Sequence, residues 1–131
     1  MEIEKYEPAT IDERHFLELY NLHKEGYLCD VTIHTQSETE SFQCHRLVLA
    51  ASSKYFKCLF SPHFKECFKD SLAYKDVKDT VMKLVIEFAY TGKIELDCSN
   101  FQDVLNFSCF LLFDSLTDKC CTFVIDNIDS L

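Results

Sequence analysis

Cys44 and His45 are the neighbouring residues whose types could do covalent chemistry, because a thiol beside an imidazole can serve as nucleophile and base. They stand at the end of a predicted strand, where successive side chains point to opposite faces. The two groups are therefore poorly placed to share a hydrogen bond, and we expect a core cysteine beside a helix-capping histidine. With only two glycines, the chain has no G-x-G-x-x-G phosphate loop and no G-x-S-x-G nucleophile elbow. The sequence predicts no catalytic residue and no enzyme activity.

Eight cysteines and five histidines could supply metal ligands, but their spacing does not favour a zinc site. The sequence contains neither C-x-x-C nor H-x-x-x-H. Cys120 and Cys121 are neighbours on a predicted helix, so their side chains diverge by about 100°, which suits one tetrahedral ion poorly. Cys67, in a polar loop, is free to join a surface cluster that the sequence cannot identify. We predict no metal and no cofactor.

The hydrophobic pattern of the first 44 residues indicates a helix followed by a hairpin. Thr10 and Glu13 form a capping box that opens a helix from Asp12 to Lys24, and Gly26 ends that helix. Alternating apolar and polar residues then predict two paired strands, at Cys29–His34 and Phe42–Cys44.

From Arg46 onward the pattern is mostly helical. The predicted fold class is therefore α+β, a small β-sheet flanked by a cluster of α-helices. The expected elements are a short helix at Leu47–Ala51 that is buried on most sides, a helix capped by Ser52 or Ser53, a strand at Leu72–Val77, a helix from Asp79 or Thr80 to Tyr90 with Gly92 in a left-handed cap, a short strand at Lys93–Leu96, and helices beginning at Ser99 or Asn100 and at Ser115.

Composition limits the classes of function. A chain of 131 residues with 47% hydrophobic residues suits one folded domain, and a net charge of −9 disfavours direct contact with nucleic acid or anionic membranes. The charged N-terminus does not resemble a signal peptide, and the longest apolar run, Phe110–Phe113, is too short to span a bilayer. We expect free thiols and a location in the cytoplasm or the nucleus. Five cysteines fall in apolar patterns, where they behave as small hydrophobes: Cys29, Cys44, Cys58, Cys109 and Cys120.

Three blocks of the sequence resemble the BTB (POZ) family. They are Gly26–Ile33 (GYLCDVTI), the stretch Phe42–Phe60 with its Cys44-His45-Arg46 and Tyr55-Phe56 signatures, and Phe88-x-Tyr90-Thr91-Gly92. The resemblance covers about residues 16–128 and is strongest to BTB domains of Kelch-type cullin-3 adaptors. It implies a BTB domain over residues 12–131 behind an N-terminal arm of residues 1–11. Residues 107–112 depart from the family pattern because they are bulkier.

The resemblance implies a homodimer. The first helix carries apolar residues on more than one face, and the family packs this helix against its copy in a second subunit, in an interface of about 1,600 Å². A broad core-facing stripe in a monomer is the alternative. The resemblance also places a partly buried acid and base near the interface, paired with one another within a subunit or across the two-fold axis. An exposed pair of little consequence is the alternative. The predicted interface residues are Phe16, Leu17, Leu19, Tyr20, Asp30 and Arg46.

A second contact surface is predicted in the loop after Phe60. Phe64-Lys65-Glu66 matches the hydrophobic-x-Glu motif by which many BTB adaptors bind cullin-3. An aromatic side chain in a polar loop can anchor a partner, with Glu66 at the edge of the contact. The alternative is that Phe64 folds back onto the core. The predicted cullin-binding residues are Phe56, Phe60, Phe64 and Glu66.

Two functions follow from the resemblance, and a third from composition. The first is an adaptor subunit of a cullin-3 RING ubiquitin ligase, with a substrate-recognition domain outside this chain. The second is a dimerising scaffold of a transcription regulator, which would recruit a corepressor peptide at the dimer interface. The third is a redox or metal enzyme that uses the many thiols.

Overall fold

A three-stranded mixed sheet and six α-helices make up the part of the chain that the computed structural model describes, residues 13–37, 39–65 and 69–130. The elements are α1 (Glu13–Glu25), β1 (Val31–His34), β2 (Ser41–Cys44), α2 (Arg46–Ser52), α3 (Lys54–Leu59), β3 (Ser71–Ala73), α4 (Asp79–Thr91), α5 (Phe101–Phe110) and α6 (Asp114–Asp126), followed by a 3-10 turn at Ile128–Ser130.

The sheet has the order β2-β1-β3. β1 is antiparallel to β2, with Val31 opposite Cys44, so the predicted hairpin is confirmed. β1 is parallel to β3, and a parallel partner requires the crossover that α2 and α3 provide. Val31 and Ile33 are buried while Thr32 and His34 are only partly so, as the alternation predicted. β3 is shorter than predicted, because only Ser71–Ala73 pair with β1.

The two glycines end helices. Gly26 and Gly92 both have φ of 71°, the left-handed conformation that glycine adopts without a Cβ penalty. The N–H of Gly92 donates to the carbonyl of Phe88 at 2.8 Å, so the predicted cap of α4 is confirmed. The predicted capping residue of α1, Thr10, lies outside the described residues.

Two expectations about local structure were wrong. α2 was expected to be buried on most sides, yet only Leu49 is buried and Leu47 is 81% exposed. This short helix packs against α3 and α4, which leaves its opposite side uncovered. Lys93–Leu96 forms no strand: Ile94 and Leu96 pack against the core from an irregular segment instead.

The core lies between the sheet and the helices and is centred on α4, which buries six of its residues. Cys44 and Cys120 belong to this core, as expected, but Cys58 and Cys109 are exposed, because each faces outward from its helix. All seven described cysteines are free. Within the described residues, no helix combines the length and the hydrophobicity needed to cross a membrane.

Candidate protein-interaction surfaces

His45 is held by three hydrogen bonds to Tyr27 and Tyr90 rather than by Cys44. Its Nε2 lies 2.7 Å from the carbonyl oxygen of Tyr27, which can only accept, so Nε2 carries the proton. Nδ1 is then the acceptor for the hydroxyl of Tyr90 at 2.6 Å, and that hydroxyl in turn accepts from the main-chain N–H of His45 at 3.0 Å. His45 is the N-cap residue of α2, as expected, but its ring makes no capping hydrogen bond, because both ring nitrogens are bound elsewhere.

The thiol nearest His45 is that of Cys29, whose Sγ lies 3.8 Å from Nε2. A protonated Nε2 cannot accept the thiol proton, so this imidazole is not a general base for Cys29. Burial and the neighbouring Asp30 carboxylate raise the pKa of Cys29, and burial raises the pKa of Cys44 to about 12. Both thiols therefore stay protonated at neutral pH. The described residues also include no group of three or more His, Cys, Asp or Glu arranged to hold a metal ion.

Asp30 and Arg46 contact each other, but not as a pair of side-chain charges. A carboxylate oxygen of Asp30 accepts the main-chain N–H of Arg46 at 2.7 Å, so Asp30 caps the start of α2. The guanidinium of Arg46 points away, to the carbonyl of Lys69 and to the carboxylate of Asp70 at 3.9 Å. Within one chain Asp30 is exposed, so the predicted buried acid–base pair is wrong there. A contact across a two-fold axis stays a prediction.

One face of α1 packs on its own domain. Leu19 and Tyr20 lie against the core, and the Tyr20 hydroxyl donates to Glu87 on α4 at 2.9 Å. Burial, followed by this carboxylate, raises the pKa of Tyr20 to about 12. His23 stacks on Tyr90 with ring centroids 4.4 Å apart. No residue of α1 is fully buried.

Apolar side chains remain uncovered around α1 and α2. Phe16 is half-buried and Leu17 is exposed on α1. The predicted interface residues did not include Leu47 on α2 or Leu28. Leu28 is 75% exposed and has a left-handed backbone conformation with φ of 58°. Leu28 lies between two residues that bind the start of α2. The Tyr27 carbonyl accepts from the His45 ring, and the Asp30 carboxylate accepts from the main-chain N–H of Arg46. We call Leu17, Tyr27, Leu28 and Leu47 the apolar patch.

The loop after α3 presents an exposed aromatic side chain. Phe56 is only 3% exposed, so its prediction as a contact residue was wrong: it belongs to the core. Phe60 is half-buried and stacks on Phe56 with centroids 5.6 Å apart. Phe64 is 49% exposed, so it does not fold back into the core. Glu66 lies outside the described residues.

A groove of about 490 Å³ runs between the β3–α4 connection and α5. Its lining includes exposed Phe110 and the ion pair of Lys78 and Asp103, whose charged atoms are 3.1 Å apart. Phe110 lies 4.9 Å from the ring of Tyr55. The sequence did not predict this groove. It indicated only that residues 107–112, which include the end of α5, are bulkier than the family pattern.

The family is decided by comparison with known proteins. A family model for the BTB/POZ domain matches residues 19–128. This chain belongs to the BTB/POZ family. The fold of this BTB domain is also similar to the solved "BTB domain of zebrafish PATZ1", with a TM-score of 0.77 and 27% identity, over 95% of this chain and 99% of that one.

Curated relatives of this BTB domain include Kelch-like proteins. It is 35% identical over 104 residues to Kelch-like ECH-associated protein 1A of Danio rerio and 38% identical over 106 residues to Kelch-like protein 9 of Mus musculus. These matches cover 78% and 79% of this chain but 17% of either relative, so the chain spans about a sixth of their length. The BTB fold is a protein-interaction fold rather than a catalytic one, and this chain is a protein-interaction domain.

Proposed function

We propose that this BTB domain is the homodimerising adaptor module of a cullin-3 RING ubiquitin ligase. Kelch-like relatives at 35% and 38% identity support the adaptor class. The ligase chemistry would reside in other subunits, whereas this domain contributes positioning and, through its two copies, bivalency. A substrate-recognition domain would lie outside this chain.

The exposure of Phe64 carries the cullin part of the proposal. An aromatic ring that is half exposed in a polar segment is an anchor for a pocket on a partner. Phe60, which precedes this segment, stacks on the buried Phe56, so the segment starts from a residue that is packed against the core. In this arrangement Phe56 supports the surface, while Phe60 and Phe64 offer the contact area.

Phe64→Ala tests the cullin contact. We expect a loss of about 2 kcal/mol of binding to the cullin-3 N-terminal domain, or roughly a thirtyfold weaker Kd by isothermal titration calorimetry. Ile125→Ala, which removes a side chain that is 71% exposed on α6, is the matched control and should leave the Kd unchanged. An unchanged Kd for Phe64→Ala removes the assignment of this loop.

The homodimer part rests on the apolar patch. Its four side chains are apolar and exposed on α1, α2 and the α1–β1 connection, and their exposure to water is unfavourable. A second copy related by a two-fold axis would cover Leu17 and Leu47 with their own equivalents or with neighbouring residues. Leu19 and Tyr20 would then support the interface from behind.

A dimerising scaffold that recruits a corepressor peptide is the second candidate. The exposure of Leu28 and Leu47 favours this second candidate, because a groove lined by apolar side chains at a dimer interface could bind an apolar peptide. A dimer that does not bind cullin-3 in the titration above would favour this candidate over the first.

A further inference from the structure

The side chain of Arg46 contacts both ends of the loop segment that carries Phe64, which begins at Phe60 and ends at Lys69. Its guanidinium carbon lies 5.6 Å from the centroid of Phe60, at the start of that segment. One of its terminal nitrogens donates to the main-chain carbonyl of Lys69, at the other end. Arg46 therefore bridges two positions that are nine residues apart in the sequence.

Each end of the segment has a separate tie to the body of the domain. Phe60 stacks on the core residue Phe56, and the carbonyl of Asp70, next to Lys69, accepts the N–H of Thr32 in β1 at 2.8 Å. These ties hold the ends to α3 and to the sheet, but not to each other. Among the described contacts, the guanidinium of Arg46 is the group that joins the two ends.

The chemistry of arginine suits this bridge. A planar guanidinium can stack on an aromatic ring and donate in its own plane at the same time, which an ammonium cannot do. The Arg46 side chain is 25% exposed, so both contacts are partly shielded from water. The ion pair with Asp70 contributes little to stability. Its guanidinium nitrogen and carboxylate oxygen are 3.9 Å apart, and the Asp70 side chain is almost fully exposed.

We propose that Arg46 is a positioning residue for the partner-binding loop: it ties Phe60 to Lys69 and so sets how Phe64 is presented. This role deepens, and rests on, the proposed binding of cullin-3. It differs from the role predicted from the sequence, in which Arg46 neutralises Asp30 at the dimer interface. Asp30 binds the main chain of Arg46, so changing the side chain leaves the cap of α2 in place.

Amide hydrogen exchange tests the bridge without any partner. The reporters are the N–H groups of Ser61 and Phe64, which donate to the carbonyls of Cys58 and Ser61, each at 3.1 Å. In Arg46→Gln we expect both to exchange about tenfold faster, the effect of losing one charge-assisted hydrogen bond. Lys54→Gln, which breaks an exposed ion pair with Asp114, is the matched control and should leave both rates within about twofold. Unchanged rates in Arg46→Gln overturn the proposal.

Arg46→Lys keeps the charge and serves as the second variant if Arg46→Gln fails to fold. A lysine can reach one acceptor but cannot also cover the ring, so we expect an acceleration of roughly threefold at Phe64. Wild-type exchange at Phe64 in Arg46→Lys, when Arg46→Gln is unfolded, counts against the proposal. Light scattering should find the same oligomer mass in both variants as in the wild-type domain. A variant whose dimer dissociates while its loop amides exchange at the wild-type rate would overturn the proposal.

Cullin binding separates this proposal from the proposed function. If the wild-type domain binds the cullin-3 N-terminal domain, Arg46→Gln should weaken the Kd by roughly three- to tenfold, less than Phe64→Ala, because the anchor is present but poorly held. If the wild-type domain does not bind cullin-3, the proposed function fails, while the exchange rates still decide whether Arg46 bridges the loop. Faster loop exchange with an unchanged Kd would overturn the positioning role.

Discussion

Replacing Leu47 with alanine tests the dimer surface where the structure leaves most apolar area uncovered. Leu47 is 81% exposed on α2, so its side chain contributes little to the folding of a single chain. In a two-fold dimer the same residue is buried twice, once in each subunit. The substitution should therefore affect association and leave the folding of the monomer almost unchanged.

The size of the effect follows from the area that dimerisation would cover. Leucine to alanine removes three carbon groups, each worth about 0.8 kcal/mol when buried, so about 2 kcal/mol is lost per subunit. Two copies give about 4 kcal/mol per dimer, or roughly a thousandfold weaker dimer dissociation constant. Solvent left in the seam would make the loss smaller.

Sedimentation equilibrium over a dilution series measures this constant directly. Ile125→Ala is the control, because Ile125 is also largely exposed but lies on α6 and is not part of the apolar patch. The free energy of unfolding of the Leu47→Ala monomer, measured with urea, should stay within about 0.5 kcal/mol of wild type. A dimer constant within threefold of wild type would show that α2 is not at the interface.

Two further predictions concern the stability of the domain. Gly92→Ala should lower the free energy of unfolding by about 1 kcal/mol in urea titrations, because its φ of 71° disfavours a side chain while no atom lies within 4 Å of the added Cβ; a neutral result would contradict the left-handed cap. His23, whose pKa burial lowers, binds its proton more readily in the unfolded chain, so its contribution should make stability rise with pH from the lowered pKa up to about 6.5. This part of the pH dependence should disappear in His23→Gln, and its persistence would assign it to another group.

The parts of the fold that depend on local sequence were predictable. The alternation around Val31 and Ile33 identifies a strand with one buried face, and Gly92 marks a helix end wherever the surrounding residues are helical. The parallel pairing of β3 was not predictable from Leu72–Val77 alone, because its alternation is weak and the partner strand is about 40 residues away. Family resemblance supplied the architecture that the pattern could not.

The candidate surfaces were only partly predictable, because exposure depends on tertiary packing. The apolar pattern around Leu47 is the same whether the outer side of α2 is covered by other residues or exposed to solvent. An aromatic pair such as Phe56 and Phe60 gives no sign of which ring is buried. Charged residues such as Asp30 and Arg46 suggest a side-chain ion pair, whereas the folded structure places the Asp30 carboxylate on the main-chain N–H of Arg46. His45 and Tyr90 contact each other across 45 positions, with no local signal.

The stoichiometry with cullin-3 tests the account most directly. Sedimentation velocity of the domain mixed with the cullin-3 N-terminal domain, at concentrations of tens of micromolar, should show one complex whose mass corresponds to two copies of each chain. A complex with one copy of each would contradict the dimer, and two species that sediment independently would contradict the adaptor function.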